Sequence, residues 1–230
     1  IIVTARKKEE SIQEVPMAVT AITDQLNEGS VRRIEDIQAF APNLFINRTP
    51  GIASGAAITI RGVASLESDK SYEPSIGVVM DGMFLGTSSG VLLDNFDIER
   101  IEVLRGPQGT LFGKNTTGGI LNVIRTPVSL TDLGGDASLT IGEFGRQDLK
   151  TGIQVPIIED KLGVKIFAAS IEHDGHVYNT FLEKDSGGDD KLNYGFTTLW
   201  EPNDQFSLKF HYEIMEDKSE QGSYVNRNRV

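Results

Sequence analysis

Apolar and polar side chains alternate along the second half of the chain, most regularly between residues 205 and 217. Period-two alternation is typical of β-strands that have one apolar and one polar face. About ten residues is the length with which a strand tilted by about 45° crosses a bilayer. A soluble antiparallel sandwich produces the same alternation, so the pattern alone leaves both architectures open. The predicted strands cover residues 136–141, 149–155, 163–173, 191–200 and 205–217.

The connections between these predicted strands differ in length. Residues 142–145 and 201–204 form short turns, and so do the residues around Asp160, whereas residues 174–190 form a long acidic loop. Short turns on one side and longer loops on the other are typical of outer-membrane barrels. Five strands would leave two unpaired edges, and each unpaired backbone group in lipid costs several kcal/mol. We therefore expect these strands to begin a longer barrel.

In such a barrel the apolar face of each strand contacts lipid and the polar face lines a hydrated lumen. For residues 163–173 this assigns Phe167, Ala169 and Ile171 to the lipid side.

The first half of the chain predicts a small α+β domain. A helix is expected after Ser30 as N-cap, since Val31, Ile34 and Ile37 recur at helical spacing, and Pro42 would end it. Asp81-Gly82 predicts a tight hairpin turn. At the N-terminus, residues 1–5 are β-prone and residues 6–14 are charged and polar. Such terminal segments are usually frayed, so we expect a disordered tail here. Strands are predicted at 17–22, 57–61, 75–80, 83–85, 98–104 and 120–125.

Composition excludes several classes of function. The formal net charge of −11 argues against binding of nucleic acid, which normally requires a basic surface. The chain has no cysteine, so thiolate metal sites and cysteine nucleophiles are excluded. His173 and His176 lack metal-ligand spacing, and no nucleophile elbow is present, so we expect no catalytic residue, no metal and no cofactor. The chain opens without methionine, and we expect a removed signal peptide or further residues upstream.

The glycine-rich stretch 105–123 raises the possibility of a phosphate-binding loop. Gly113-Lys114 is followed by Asn115 rather than Ser or Thr, and the preceding glycine spacing does not fit. Residues 118–124 then read as a strand, whereas a phosphate loop requires a helix. The glycines are therefore expected to serve turns.

Charges interrupt the predicted strand 98–104. Glu99, Arg100, Glu102 and Arg105 alternate with apolar residues, which indicates one face on a core and another in a polar setting. A solvated face is the ordinary explanation of such a pattern.

Seven stretches span residues 1–126 in order: IVTARK (2–7), VPMAVT (15–20), APNL (41–44), IRGV (60–63), VMDG (79–82), IERIEVLRGPQGTLFG (98–113) and NTTGGILNVI (115–124). Together they resemble the TonB-dependent outer-membrane receptors. The resemblance implies an α+β plug domain followed by antiparallel transmembrane β-barrel strands, the N-terminal part of a plugged barrel of about 22 strands. It implies a TonB-box segment and linker at 1–14, the plug at 15–126, a linker at 127–134 and about five barrel strands at 135–230.

The resemblance also implies partners and site residues. The periplasmic energy-coupling protein TonB would bind the N-terminal segment by β-augmentation, and the strands would contact outer-membrane lipid. The protein would bind a scarce solute (a ferric siderophore, haem, cobalamin or an oligosaccharide) and import it using energy from TonB, with no enzymatic activity. The alternative is a soluble two-domain ligand-binding module with a β-sandwich C-terminal half. The implied site residues are Ile1, Ile2, Val3, Thr4 and Ala5 for TonB; Arg61, Glu99, Arg100, Glu102 and Arg105 for polar contacts between plug and barrel; and Arg48, Thr49, Asp69, Lys70, Tyr72 and Phe84 for substrate.

Overall fold

The computed structural model describes residues 1–27, 31, 33–49, 55–64, 73–86 and 96–220. The chain divides into two compact units, Ile1–Thr126 and Pro127–Val230. None of the helices in the described ranges is long and apolar enough to cross a membrane.

Among its described residues, the first unit contains short strands with three short helical elements between them. Its strands are β1 (Ile2–Val3), β2 (Glu10–Ser11), β3 (Val19–Ile22), β4 (Leu44–Arg48), β5 (Ala56–Ile60), β6 (Val63–Ala64), β7 (Ile76–Met80), β8 (Met83–Leu85), β9 (Ile98–Arg105) and β10 (Gly119–Arg125). Its helical elements are α1 (Asp24–Asn27), a 3₁₀ helix (Ile34–Ala39) and α2 (Gly109–Phe112).

A five-stranded mixed sheet forms the centre of this unit, in the order β3-β9-β10-β7-β8. Only β10 and β7 pair in parallel, while the other neighbours are antiparallel. Both faces of the sheet are covered, so β7 is buried along its whole length, and its sequence IGVVM is apolar throughout. The predicted hairpin at Asp81-Gly82 is confirmed, because both residues adopt positive φ (47° and 84°) between β7 and β8.

The two faces of the sheet pack against different parts of the chain. One face carries Ile101 and Val103 of β9 and packs with Ile34 and Ile37 of the 3₁₀ helix. The opposite face carries Leu104 and Ile120 and packs with Val3, Ala5 and Val15 of the N-terminal segment. The N-terminal residues are therefore part of a core, and the expectation of a frayed tail is wrong for them.

The helix predicted after Ser30 is shorter than expected. Ser30 lies outside the described residues, and the observed element is a 3₁₀ helix over Ile34–Ala39. Its start is fixed by the Asp36 carboxylate, which accepts a hydrogen bond from the Arg33 backbone N–H at 2.9 Å. Residues i and i+3 are eclipsed in a 3₁₀ helix, so Ile34 and Ile37 reach the same core.

The second unit is an antiparallel meander, in the order β11-β12-β13-β14-β15. The described residues of this unit form one sheet, whereas the sandwich alternative requires two packed sheets. The strands are β11 (Gly134–Ile141), β12 (Gln147–Ile158), β13 (Leu162–Asn179), β14 (Lys184–Asn203) and β15 (Phe206–Asp217).

The long loop predicted at 174–190 is mostly strand. β13 and β14 continue pairing to Asn179 and Lys184, with a bulge between Gly175 and Val177. Glycine permits this extension, because a Cβ on Gly175 would lie 2.1 Å from the Ser186 carbonyl oxygen. The acidic, glycine-rich composition of residues 174–190 predicts a loop, but the glycines instead allow β13 and β14 to approach each other closely.

The lipid-side assignment of Phe167, Ala169 and Ile171 is wrong. These side chains are buried, whereas Ile166 on the opposite face is 56% exposed. Phe167 stacks on His211, with ring centroids 5.8 Å apart, and covers Gly195 of β14, whose absent Cβ leaves room for the ring. A glycine on the neighbouring strand thus decides where the phenylalanine packs.

Candidate functional site

The N-terminal segment Ile1–Ala5, expected to bind TonB, lies against the central sheet of the first unit. β1 pairs antiparallel with β2, and the Ile12 N–H donates to the Ile1 carbonyl at 3.1 Å. Ile1 and Ile2 are exposed, whereas Val3 and Ala5 are fully buried. Ile2 and Val3 form a strand and the chain turns at Ala5, while the side chains of Val3 and Ala5 are anchored in the core.

A buried carboxylate binds Thr4, which lies between those two anchors. Glu102 is 0% exposed, and its Oε1 accepts hydrogen bonds from the Thr4 N–H at 2.7 Å and from the Thr4 hydroxyl at 3.1 Å. The same oxygen accepts from Arg100 Nε at 2.9 Å, and Oε2 accepts from Asn122 Nδ2 at 3.0 Å. The solvated-face interpretation is therefore wrong for Glu102, which has four donors inside the unit.

The strand pairing explains why these side chains meet. In β9, Arg100 and Glu102 point to the face opposite that of Ile101 and Val103, because successive side chains alternate. Glu102 lies directly across from Asn122 in the antiparallel pair of β9 and β10. Asn122 was missed from the sequence, although a single amide inside the apolar run ILNVI is a signal of a buried polar contact.

Arg100 links the buried carboxylate to the surface. Its Nη1 lies 3.0 Å from Oε1 of Glu99, whose side chain is 41% exposed. The structure thus brings Glu99, Arg100 and Glu102 together in one cluster. Their expected contacts with a barrel wall are not tested by these distances, and that role stays a prediction.

Charged side chains form ion pairs where β1 and β2 are connected. Glu10 accepts from Arg6 Nε at 2.6 Å and lies 2.9 Å from Lys8 Nζ. The hydrogen bond from Arg6, followed by that from Lys8, lowers the pKa of Glu10 to about 2. Glu10 is therefore ionised throughout the physiological range.

Two arginines on this unit, Arg61 and Arg105, have no carboxylate partner among the described residues. Arg105 donates from Nε to the Pro42 carbonyl at 3.1 Å and from Nη2 to the Thr20 hydroxyl at 2.5 Å. Burial, and then repulsion from the Arg61 guanidinium, lower the pKa of Arg105. Two like charges without a carboxylate partner among the described residues form a site suited to anionic groups.

Three of the six residues expected to contact substrate lie among the described residues, and their role stays a prediction. Arg48 pairs with Glu35 at 3.1 Å, the Thr49 N–H donates to the Gly55 carbonyl at 2.9 Å, and Phe84 packs on the Val3-containing core cluster. Asp69, Lys70 and Tyr72 lie outside the described residues.

The glycine-rich stretch forms internally bonded turns. The Gly106 N–H donates to the Gly118 carbonyl at 3.0 Å, and the Gln108 N–H donates to the Thr116 carbonyl at 2.9 Å. These amides are already bonded, and Gly119 continues into β10 rather than a helix. The geometry is therefore unlike that of a phosphate loop.

His173 is bonded to a carboxylate without forming a larger ligand cluster. Its Nε2 lies 3.0 Å from Oδ2 of Asp189, and its Nδ1 accepts from the Gly175 N–H at 3.1 Å. Across the described ranges, His, Cys, Asp and Glu side chains form no group of three or more that could hold a metal ion.

The decisive comparison concerns residues 11–120, which match the TonB-dependent Receptor Plug Domain. This stretch contains the central sheet, the 3₁₀ helix and the glycine-rich turns. Residues 11–120 belong to the TonB-dependent receptor plug family.

Curated relatives extend the similarity beyond the plug. The chain is 26% identical over 237 residues to the pesticin receptor of Yersinia pestis, which covers 100% of this chain and 34% of that protein. It is 28% identical over 131 residues to the vitamin B12 transporter BtuB of Vibrio vulnificus, and this match covers 55% of this chain and 20% of that protein. The chain thus spans about a third or less of the length of these relatives.

Solved structures confirm the fold of both units. The ferric yersiniabactin uptake receptor FyuA from Yersinia pestis superimposes with a TM-score of 0.86 at 23% identity, covering 99% of this chain and 36% of that one. The pyoverdine outer membrane receptor FpvA from Pseudomonas aeruginosa superimposes with a TM-score of 0.76 at 16% identity, covering 94% of this chain and 30% of that one. The predicted fold of a plug followed by barrel strands and the predicted outer-membrane location are confirmed. The named relatives are receptors and transporters.

Proposed function

We propose that this chain is the N-terminal part of an outer-membrane receptor that imports a scarce solute with energy supplied by TonB. The plug-family match carries the proposal, because that domain is named for its dependence on TonB. The solute would be a ferric siderophore, haem, cobalamin or an oligosaccharide, and the protein would transport it without chemical change.

TonB would grip the segment Ile1–Ala5. The segment is β-branched and its residues Ile2 and Val3 form a strand, so a partner sheet can add it as a strand through backbone hydrogen bonds. Ile1 and Ile2 are exposed at 69% and 53% and offer a starting point for that pairing. Removal of Val3 and Ala5 from the core would then transmit the pull to the sheet that they cover.

The barrel would supply the anionic partners of Arg61 and Arg105. Both guanidinium groups have only neutral hydrogen-bond partners or none among the described residues. Carboxylates from the wall of the longer receptor would neutralise the pair and hold the plug. Glu99 and Arg100 would contribute further polar contacts at the same hydrated interface.

The solute would contact the apical loops of the plug. Arg48 and Thr49 at the end of β4, Phe84 in β8, and the undescribed Asp69, Lys70 and Tyr72 are the candidates. Their mixture of charge and aromatic surface suits a polar solute with planar groups.

The proposal is tested by the substitution Val3→Pro in the full-length receptor. Proline cannot donate a backbone hydrogen bond, so we expect loss of solute uptake while binding to cells is retained. Val3→Ala is the matched control, because it keeps an extended backbone with its N–H and should preserve uptake. Whole-cell uptake and binding are measured with a panel of labelled ferric siderophores and cobalamin. Normal uptake by the proline variant would refute the assignment of this segment.

A further inference from the structure

The Glu102 carboxylate is shared between the core of the plug and the segment that covers it. Two of its four donors, the Thr4 N–H and hydroxyl, belong to the N-terminal segment. The other two, Arg100 Nε and Asn122 Nδ2, belong to the central sheet. Glu102 and Thr4 are 98 positions apart, so this contact joins the start of the chain to β9.

We propose that Glu102 is the positioning residue that keeps Ile1–Ala5 docked, and that it sets the fraction of time for which the segment is free. The proposal rests on the proposed function, in which a partner must grip this segment. A docked segment has Val3 and Ala5 fully buried and its Thr4 N–H bonded, so its backbone cannot pair with a second sheet there.

The geometry makes release reversible without damage to the plug. When Thr4 leaves, Glu102 loses two charge-assisted hydrogen bonds and the core loses contact with two small side chains. Arg100 and Asn122 still donate to the carboxylate, so no unpaired charge is left buried, which would cost far more. The central sheet can therefore stay folded while the segment opens.

Besides its two hydrogen bonds to Glu102, the docked segment pairs with β2, and the Thr4 hydroxyl accepts longer hydrogen bonds from Asn122 Nδ2 at 3.3 Å and Arg100 Nη2 at 3.5 Å. Charge-assisted hydrogen bonds contribute more than neutral ones, so the carboxylate of Glu102 is the strongest single attachment of the segment. Its amide analogue keeps the shape and one acceptor oxygen but presents an NH₂ group to one of the surrounding donors. Glu102→Gln should therefore favour the open segment about tenfold, equivalent to about 1.4 kcal/mol.

Cysteine labelling of the full-length receptor tests this equilibrium in the absence of TonB. This chain has no cysteine, so a single Val3→Cys reporter can be followed at the peptide level by mass spectrometry. A second reporter, Val123→Cys, is equally buried but packs on the other face of the central sheet. Labelling rates at the two positions separate opening of the segment from unfolding of the plug.

Glu99→Gln is the matched control for Glu102→Gln. It removes the same charge from the same strand and also contacts Arg100, yet none of the contacts described for it is with Thr4. We expect Glu102→Gln to speed labelling of the reporter at position 3 about tenfold while labelling at position 123 stays unchanged. Glu99→Gln should leave the labelling rates at both positions unchanged.

Three results would overturn the proposal. They are an unchanged labelling rate at position 3 in Glu102→Gln, equal acceleration at positions 3 and 123, or the same acceleration in Glu99→Gln. Since no TonB is present in the assay, these outcomes are separate from the fate of the proposed function. Loss of TonB binding to the segment would refute that function while leaving the labelling result intact.

Discussion

Gly119 has no room for a side chain, because the backbone of the neighbouring strand lies too close. It begins β10 opposite Arg105 of β9, with a φ of +146°. A Cβ placed there would lie 2.3 Å from the carbonyl oxygen of Leu104, which is fully buried. We therefore expect Gly119→Ala to destabilise the pairing of β9 and β10.

The magnitude follows from two costs. Cβ atoms essentially never approach another heavy atom closer than 3.0 Å, so the strands would have to separate by at least 0.7 Å (3.0 minus 2.3). The unfavourable φ adds about 1–3 kcal/mol by itself. Together we expect about 3 kcal/mol, a large fraction of the roughly 5–15 kcal/mol that stabilises a typical domain.

Native-state hydrogen exchange of the full-length receptor measures this loss in β9 and β10 directly. A decrease of about 3 kcal/mol corresponds to about 150-fold faster exchange of the protected amides. Gly113→Ala is the matched control, since Gly113 also has positive φ (+83°) but a methyl group added there would have nothing within 4 Å. It should carry only the cost of its unfavourable backbone conformation, about 1–3 kcal/mol, without the added cost of separating two strands, so its effect should be smaller than that of Gly119→Ala. Equal effects of the two substitutions would refute the close-approach reasoning.

Two further predictions concern charge. The pKa of Glu10 is about 2, below its ordinary 4.5, so its ion pairs stabilise the hairpin fully above about pH 4.5 and are lost as the pH falls through about 2. Hydrogen exchange of residues 2–11, corrected for intrinsic rates, should become faster over this pH range. Glu10→Gln should abolish this pH dependence, and a Glu10→Gln variant with unchanged pH dependence would contradict the assignment to Glu10. Arg105→Gln should loosen the plug and admit a large antibiotic through the outer membrane, whereas Lys114→Gln, at an exposed pair with Glu73, should not. Unchanged leakage in Arg105→Gln would count against contacts between plug and barrel.

Local chemistry made part of the fold predictable from the sequence. The Asp81-Gly82 turn was identified because it requires two residues that tolerate positive φ, and few other pairs do so. The strands β9 and β10 were identified because their apolar residues alternate or run continuously over the full element. In both cases, the information lies within a few residues of the element itself.

Contacts between distant parts of the chain were not predictable in this way. Charges that alternate along β9 look the same whether they face water or a buried partner, and Thr4 gives no sign that it will bind Glu102. Phe167 was placed on the wrong face because its packing depends on Gly195 of a neighbouring strand. For these residues tertiary context overrides the local pattern.

Site-specific disulfide crosslinking in cells tests the central claim most directly. A cysteine introduced in place of Ile2 of the full-length receptor is paired with cysteines along the exposed sheet edge of TonB's periplasmic domain. The account predicts crosslinks from position 2, and none from a cysteine in place of Met83, which is 63% exposed in the same unit. Absence of crosslinks at position 2, or equal crosslinking at position 83, would contradict the claim that TonB grips the N-terminal segment.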